Sequence, residues 1–199
     1  MSEQVVNAEK LMQRARQSLA ATEEALKTAI KSLRDKTVDG GRISATKLDE
    51  CQLVSYETAL SAAEAAGAWF ALDYAERTRE ERGDSDDTLT IEDRCALIFT
   101  AEAIESIRAR LELRPEDYGL NRQTLAETLD SEALQSFCAE QLAVERIAAL
   151  GKEIADMDGN TGAYMLDEDH EMMRDTFRKF ATDVVMPLAE EIHRHDLII

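Results

Sequence analysis

His170, His193 and His195 are the residues of widest chemical range in this chain, because imidazole carries protons near neutral pH and ligates metals. Two of them follow an acid by three positions, in Asp167-Glu168-Asp169-His170 and Glu190-Glu191-Ile192-His193. Carboxylate-bridged dimetal sites use that spacing, with the acid–histidine pairs on helices that face one another. Here both pairs fall in one helical stretch, which at about 1.5 Å per residue separates His170 from His193 by about 35 Å. They read as surface histidines near the ends of an acidic helix.

A second run, Asp156-Met157-Asp158-Gly159-Asn160-Thr161-Gly162 followed by Asp167, places oxygens at alternate positions as a calcium loop does. The position that needs glycine for the sharp turn is Thr161, however, and the closing acid is Asp167 rather than glutamate. A helix stop with a connector explains the run. Cys51 and Cys138 lack the basic surroundings that would generate a thiolate nucleophile, and Cys95, although it follows Arg94, lies on a core-facing stretch. Their odd number and wide separation in Ala-rich stretches point to buried structural thiols in a reducing cytoplasm. The sequence contains no Gly-rich phosphate loop, no serine-nucleophile motif and no aromatic-plus-basic patch. No residue is therefore assigned a catalytic, cofactor-binding or metal-binding role.

The bulk properties narrow the partners. In 199 residues, 41 acids against 23 bases leave a net charge of -18, which repels phosphate backbones and anionic headgroups. Nucleic acid is not an expected partner. No segment has the roughly 18 uninterrupted apolar residues of a membrane span, and no basic-then-apolar leader opens the chain, so a soluble cytoplasmic protein is expected.

Two prolines, few glycines and abundant Ala, Leu, Glu and Arg favour helix nearly everywhere, and no strand is predicted. Breaks fall at Val38-Asp39-Gly40-Gly41, Gly83-Asp84-Ser85-Asp86-Asp87, Arg114-Pro115-Glu116-Asp117-Tyr118-Gly119 and Asp158-Gly159-Asn160-Thr161-Gly162. The first segment, residues 4–36, lines up Met12, Ala15, Leu19, Leu26, Ile30 and Leu33. The second, residues 45–82 after the N-cap Ser44, carries Leu53, Tyr56, Leu60, Ala63, Gly67, Phe70 and Tyr74 at strictly alternating steps of three and four. That is a packing seam on a helix on the order of 55 Å long, and something equally long must cover it. Trp69 beside Phe70 is expected to fill the bundle interior, and the charge run from Glu76 to Arg82 to be a solvated face of pairs spaced by three or four.

The third segment opens at Thr90 and points Leu97, Ala101, Ile104, Ile107 and Leu111 inward. After a short helix near residues 122–129, the fourth begins at Asp130 or Ser131 and presents Leu134, Phe137, Gln141, Val144, Ala148 and Gly151. The fold predicted is all-α, an up-down bundle of four long helices followed by a further, Pro-kinked helix over residues 167–195. Met173, Phe177, Phe180, Val184, Leu188 and Ile192 form the apolar face of that last helix, Pro187 interrupts it, and its end is expected to be exposed and uncapped.

The last helix runs Asp167-Glu168-Asp169-His170-Glu171-Met172-Met173-Arg174-Asp175-Thr176-Phe177-Arg178-Lys179-Phe180, then Val184-Val185-Met186-Pro187-Leu188-Ala189-Glu190-Glu191-Ile192-His193-Arg194-His195. This resembles the first helix of the acyl-CoA dehydrogenase family: an acid-rich start, an amphipathic turn ending Arg-x-Phe, a Val before an in-helix Pro, then an acid pair and a basic end. Helices placed ahead of it resemble the N-terminal extension of the methylsuccinyl-CoA dehydrogenases within that family. Val38-Asp39-Gly40-Gly41-Arg42, Leu48-Asp49-Glu50-Cys51-Gln52 and the Trp69-Phe70 region look like the same arrangement.

The resemblance implies an accessory bundle over residues 1–158, a linker over 159–165 and the truncated start of the enzyme's N-terminal helical domain over 166–199. It implies FAD as cofactor of the parent enzyme, which would oxidise the Cα–Cβ bond of a short-chain acyl-CoA such as methylsuccinyl-CoA. A glutamate base would take the α-proton, flavin would accept the β-hydride, and an electron-transferring flavoprotein would receive the electrons. The flavin-binding β-domain, the acyl-CoA cleft and the helices with the catalytic glutamate all lie beyond these 199 residues, so none of the family's functional residues transfers to a position here. The segment alone is expected to be inactive and, with an apolar helix face left bare, to form homo-oligomers. The competing expectation is a free-standing acidic helical scaffold that recruits a partner helix.

Overall fold

A computed structural model describes residues 7–85, 88–159 and 166–197. The protein is all-α and divides into two units, residues 1–162 and 163–199.

In the first unit α1 (Ala8–Thr37) starts at Asn7, whose side chain accepts from the Lys10 amide at 2.8 Å, and buries Met12, Ala15, Leu19 and Leu26. Ile30, expected on the same stripe, is 43% exposed. The first glycine break is a hairpin: β1 (Val38–Asp39) pairs antiparallel with β2 (Arg42–Ile43), Val38 opposite Ile43, while Gly40 and Gly41 take φ of +54° and +81°. These strands are missed by sequence because two residues carry no alternation to read. Ser44 caps α2 (Ala45–Glu50) as expected, but Cys51 interrupts the helix there, and α3 runs from Gln52 to Arg82 before the left-handed Gly83 stops it.

Thr90 and Asp93 form a reciprocal capping box at the start of α4 (Ile91–Leu113), with bonds of 3.0 and 3.1 Å. α4 buries Leu97, Ala101, Ile104, Ile107 and Leu111, the five positions its periodicity selects. A 3-10 turn (Pro115–Tyr118) follows, closed by Gly119 at φ +71°, where an added Cβ would lie 2.5 Å from the Ser32 hydroxyl oxygen. Only glycine meets both demands. α5 (Arg122–Leu129) matches the short helix expected.

The fourth long segment is built as two helices, α6 (Glu132–Gln141) and α7 (Val144–Asp156), broken at Leu142-Ala143. Leu134, Phe137 and Gln141 are buried as predicted. Past the break the helix is rotated, so Val144 is 75% exposed and Leu150 is the residue that turns inward. Ala148 and Gly151, predicted inward, are exposed too. α1, α3 and α4 pack on one another, with α6 against α1 and α4, and α7 against α4.

The largest departure concerns α3. Leu53, Tyr56 and Phe70, the large residues of its predicted seam, are 56%, 66% and 74% exposed. The buried stripe is Thr58, Ser61, Ala65, Ala68, Leu72, Ala75 and Arg79, which repeats the same alternation of three and four on the opposite side. Small side chains there let α3 approach α4 closely.

The second unit holds α8 (Glu168–Phe180), a π-type stretch (Ala181–Val185) and α9 (Met186–His195) in one continuous helical run. Pro187 sits in the first turn of α9, where its missing amide is tolerated, and the widened turn before it takes up the ring. The kink or restart expected at Pro187 is this π-type turn. The C-terminus is capped after all: Asp196 adopts φ +52° and the Leu197 amide donates to the Ile192 carbonyl at 3.2 Å.

Candidate functional site

The residues with the most obvious chemistry are dispersed. His170 lies in the first turn of α8, where its ring nitrogen Nδ1 is 2.6 Å from the Asp167 carboxylate, and its backbone amide donates to the same oxygen at 2.9 Å. Those two bonds, the amide first, hold the Asp167 carboxyl below its usual range. His193 and His195 are exposed near the end of α9. Among the described residues no group of three or more His, Cys, Asp or Glu could hold a metal ion. Asn160, Thr161 and Gly162 of the calcium-like run, and most of the expected linker, lie outside the described residues, as do Asp86 and Asp87 of the second break.

The cysteines differ from one another. Cys138 is buried in α6, and burial together with the nearby Glu105 pushes its thiol up to about 12. Cys95 is half-buried in α4, and burial followed by Glu92 raises its thiol also. Neither presents a thiolate at neutral pH. Cys51, expected to be buried, is half-exposed at the junction of α2 and α3.

Charge inside the bundle serves helix pairing. Arg79, 5% exposed, donates to both oxygens of the fully buried Asp93 at 3.3 Å, and Arg82 forks onto Glu92 at 2.8 and 3.1 Å. At the opposite end of the same helix pair, Arg114 and the Tyr118 hydroxyl both donate to Glu57. Arg110 reaches Glu64 at 2.8 Å and Ser61 at 3.3 Å. The run from Glu76 to Arg82, expected as a solvated face, thus sends Arg79 and Arg82 to α4, while Arg77 is exposed. Glu76 and Asp73 bind Arg16 of α1 at 2.7 and 2.8 Å, and Arg16 lies over the half-buried Trp69 ring. Trp69 packs on the core, whereas Phe70, expected beside it inside the bundle, faces out.

A cavity of about 120 Å³ is lined by Arg94, Ile98, Gln141, Arg146, Ala149 and Leu150. Both its guanidiniums are already neutralised, Arg94 by Glu153 at 2.6 and 2.8 Å and Arg146 by Glu140 at 2.9 Å. It is also below the roughly 300–1,000 Å³ of cofactor-sized sites.

The feature of the second unit that calls for an explanation is a surface. None of its described residues is buried. Met173, Phe177, Phe180, Val184 and Leu188 recur at helical spacing along α8, the π-type turn and α9, between 42% and 68% exposed. Polar residues elsewhere on the helix are paired, Lys179 with Asp183 at 2.7 Å and Arg194 with Glu190 at 2.6 Å. A helix of such one-sided composition gains its stability by burying the apolar stripe against another body. Sequence periodicity identified this stripe. The stripe that α3 buries, Thr58, Ser61, Ala65, Ala68, Leu72 and Ala75 ending on Arg79, was equally periodic in the sequence, but its small and polar side chains gave it no precedence over the larger residues of the other face.

No protein-family model matches the chain, and no curated protein matches it. No helix among the described residues is long and apolar enough to cross a membrane.

Proposed function

We propose that this chain is the N-terminal part of an FAD-dependent acyl-CoA dehydrogenase. Residues 1–158 form an accessory bundle, and 166–199 open the enzyme's own N-terminal helical domain. The observation that carries this reading is the α8–α9 run. It combines the Arg-x-Phe turn, a Pro-interrupted helix, the acid pair and the basic end with an apolar face exposed from Met173 to Leu188. Such a face fits a helix whose partner surface is the rest of an enzyme body.

The resemblance assigns flavin binding, proton abstraction and electron transfer to an electron-transferring flavoprotein to parts of the family's fold that have no counterpart in this segment. The segment alone is non-catalytic. Its substrate-level identity follows the parent, an enzyme acting on a short-chain acyl-CoA such as methylsuccinyl-CoA in the cytoplasm.

The test is to read the gene in frame past codon 199 and express the complete product. A yellow protein that reduces an electron acceptor when given a short acyl-CoA supports the reading, and residues 1–199 alone should bind no flavin. A reading frame that stops after Ile199, with no flavoprotein following, overturns it in favour of a free-standing helical scaffold.

A further inference from the structure

We propose that the cavity between α4, α6 and α7 is a binding site for a short aliphatic carboxylate. The inference rests on the bundle alone and is independent of the enzyme assignment.

Three helices wall the cavity: Arg94 and Ile98 come from α4, Gln141 from the end of α6, and Arg146, Ala149 and Leu150 from α7. On an unbroken helix Gln141 and Arg146 would point about 140° apart. The break at Leu142-Ala143 lies between them and brings both to one space. Gln141 and Leu150, 2% and 8% exposed, form the floor, and the exposed Ala149 marks the mouth.

Gln141 carries a group that the bundle leaves unmatched. Its Oε1 accepts from Arg146 Nη1 at 3.4 Å, and because a guanidinium only donates, that contact fixes which end of the amide is oxygen. The other end, Nε2, is buried and donates to no protein group. Native interiors rarely leave a buried donor without an acceptor, so a donor of this kind on a cavity wall marks where an acceptor belongs.

The remaining polar side chains on the wall also offer donors. Arg94 donates through Nε to the Thr90 carbonyl at 3.2 Å and through both Nη atoms to Glu153. Arg146 donates through its Nη atoms to Gln141 and Glu140. Each Nη holds a second hydrogen, and Arg146 Nε adds another. The one side-chain acceptor on the wall, Gln141 Oε1, is already taken.

Charge gives the sign of the ligand. Glu140 is shared between Arg146 and Arg14, each at 2.9 Å, so the groups paired around the cavity are three guanidiniums against two carboxylates, Glu140 and Glu153. This local excess of one positive charge, in a chain of net charge -18, is matched by a single monoanion. Size and lining give the rest. At about 120 Å³ the cavity is a little smaller than the roughly 150 Å³ that encloses benzene, so it takes about five or six non-hydrogen atoms. A carboxylate facing Gln141 and the arginines leaves a short alkyl tail to lie on Ile98, Ala149 and Leu150, which offer a phosphate nothing. Butyrate has that size and shape.

Titration of sodium butyrate into the isotope-labelled 199-residue chain tests the assignment, with sodium chloride at matched ionic strength as reference. The Gln141 side-chain amide, identified by its loss in Gln141→Leu, should shift saturably with a Kd below about 10 mM. Gln141→Leu removes both amide donors at similar volume and should weaken binding, followed on the butyrate resonances, by at least about tenfold. Its melting temperature should not fall, because an unmatched buried donor is replaced by an apolar group. Ala149→Phe, at the exposed mouth, should block butyrate and leave the helical circular dichroism unchanged. n-Butylammonium, with the same tail and the opposite charge, should not bind. No saturable shift of the Gln141 amide up to about 50 mM butyrate, undiminished binding in Ala149→Phe, butylammonium binding as well as butyrate, or inorganic phosphate binding more tightly overturns the inference.

Discussion

α3 and α4 are neighbours in the same bundle, and they treat their large apolar residues in opposite ways. α4 turns Leu97, Ile104, Ile107 and Leu111 into the core, whereas α3 turns Leu53, Tyr56 and Phe70 outward and buries alanines, Leu72 and an arginine. Burial of apolar area alone would rotate α3 the other way, since a buried Leu or Phe gains about 1.5–3 kcal/mol and an Ala much less. The polar partners oppose that rotation. Arg79 reaches Asp93, Ser61 and Glu64 reach Arg110, and Glu57 receives Arg114 and Tyr118, all from the face α3 presents to α4. Turning the large residues inward would leave the fully buried Asp93 without Arg79, at a cost of several kcal/mol, and would break the part-exposed pairs as well. The size of a side chain is a weaker guide to its direction than the set of partners its helix must satisfy.

The sharpest way to break this contrast is at the buried ion pair. Asp93→Ala removes both the carboxylate that neutralises Arg79 and half of the capping box, and should lower the unfolding free energy by about 3–5 kcal/mol. Urea denaturation reads the change, and a loss below about 1 kcal/mol would show that the pair does not hold the rotation of α3.

A paired comparison follows in size. Ile104→Ala, at a fully buried site of α4, should cost about 2–5 kcal/mol. Phe70→Ala on the outer face of α3 should change the stability of the monomer by no more than about 0.5 kcal/mol, measured at low micromolar concentration so that association does not contribute. Equal losses in the two variants would mean that Phe70 is covered within the chain.

The smallest effect is electrostatic. Burial raises the Glu57 carboxyl, but the Tyr118 hydroxyl and Arg114 outweigh it, so its folded value lies below the ordinary one. A carboxyl lowered on folding adds stability above its unfolded value, about 4.3, and loses that contribution as pH falls through the folded value. The wild-type denaturation midpoint should therefore drop between pH 5 and pH 3 more steeply than that of Glu57→Gln. Parallel curves would count against this network as a latch between α3 and the turn after α4.

Several elements could be read from short stretches of sequence. Thr90 with Asp93, Ser44, Ser131 and Gly83 mark helix ends by local hydrogen bonds or by left-handed backbone that needs no distant partner. The apolar stripe of α8 and α9 and its interruption by Pro187 were equally local. The break at Leu142-Ala143 has no such mark, being flanked by good helix formers, and by spacing alone Val144 continues the stripe of Phe137 and Gln141. The role of Arg79 was hidden for a different reason: its partner Asp93 lies across a turn, and a charge run resembles a solvated face until its partners are known.

Sequence by itself determined the helix ends that carry a cap or a glycine stop, because propensity and capping act within a few residues of the chain, but not the breaks at Cys51 and Leu142-Ala143. It also determined the all-α class and the one-sided character of the closing helix. Which of the two equally periodic stripes of α3 faces the core was decided only in three dimensions. Helical periodicity places residues on a common face but does not rank the faces. The ranking comes from buried charges and hydrogen bonds to residues 14 to 61 positions away.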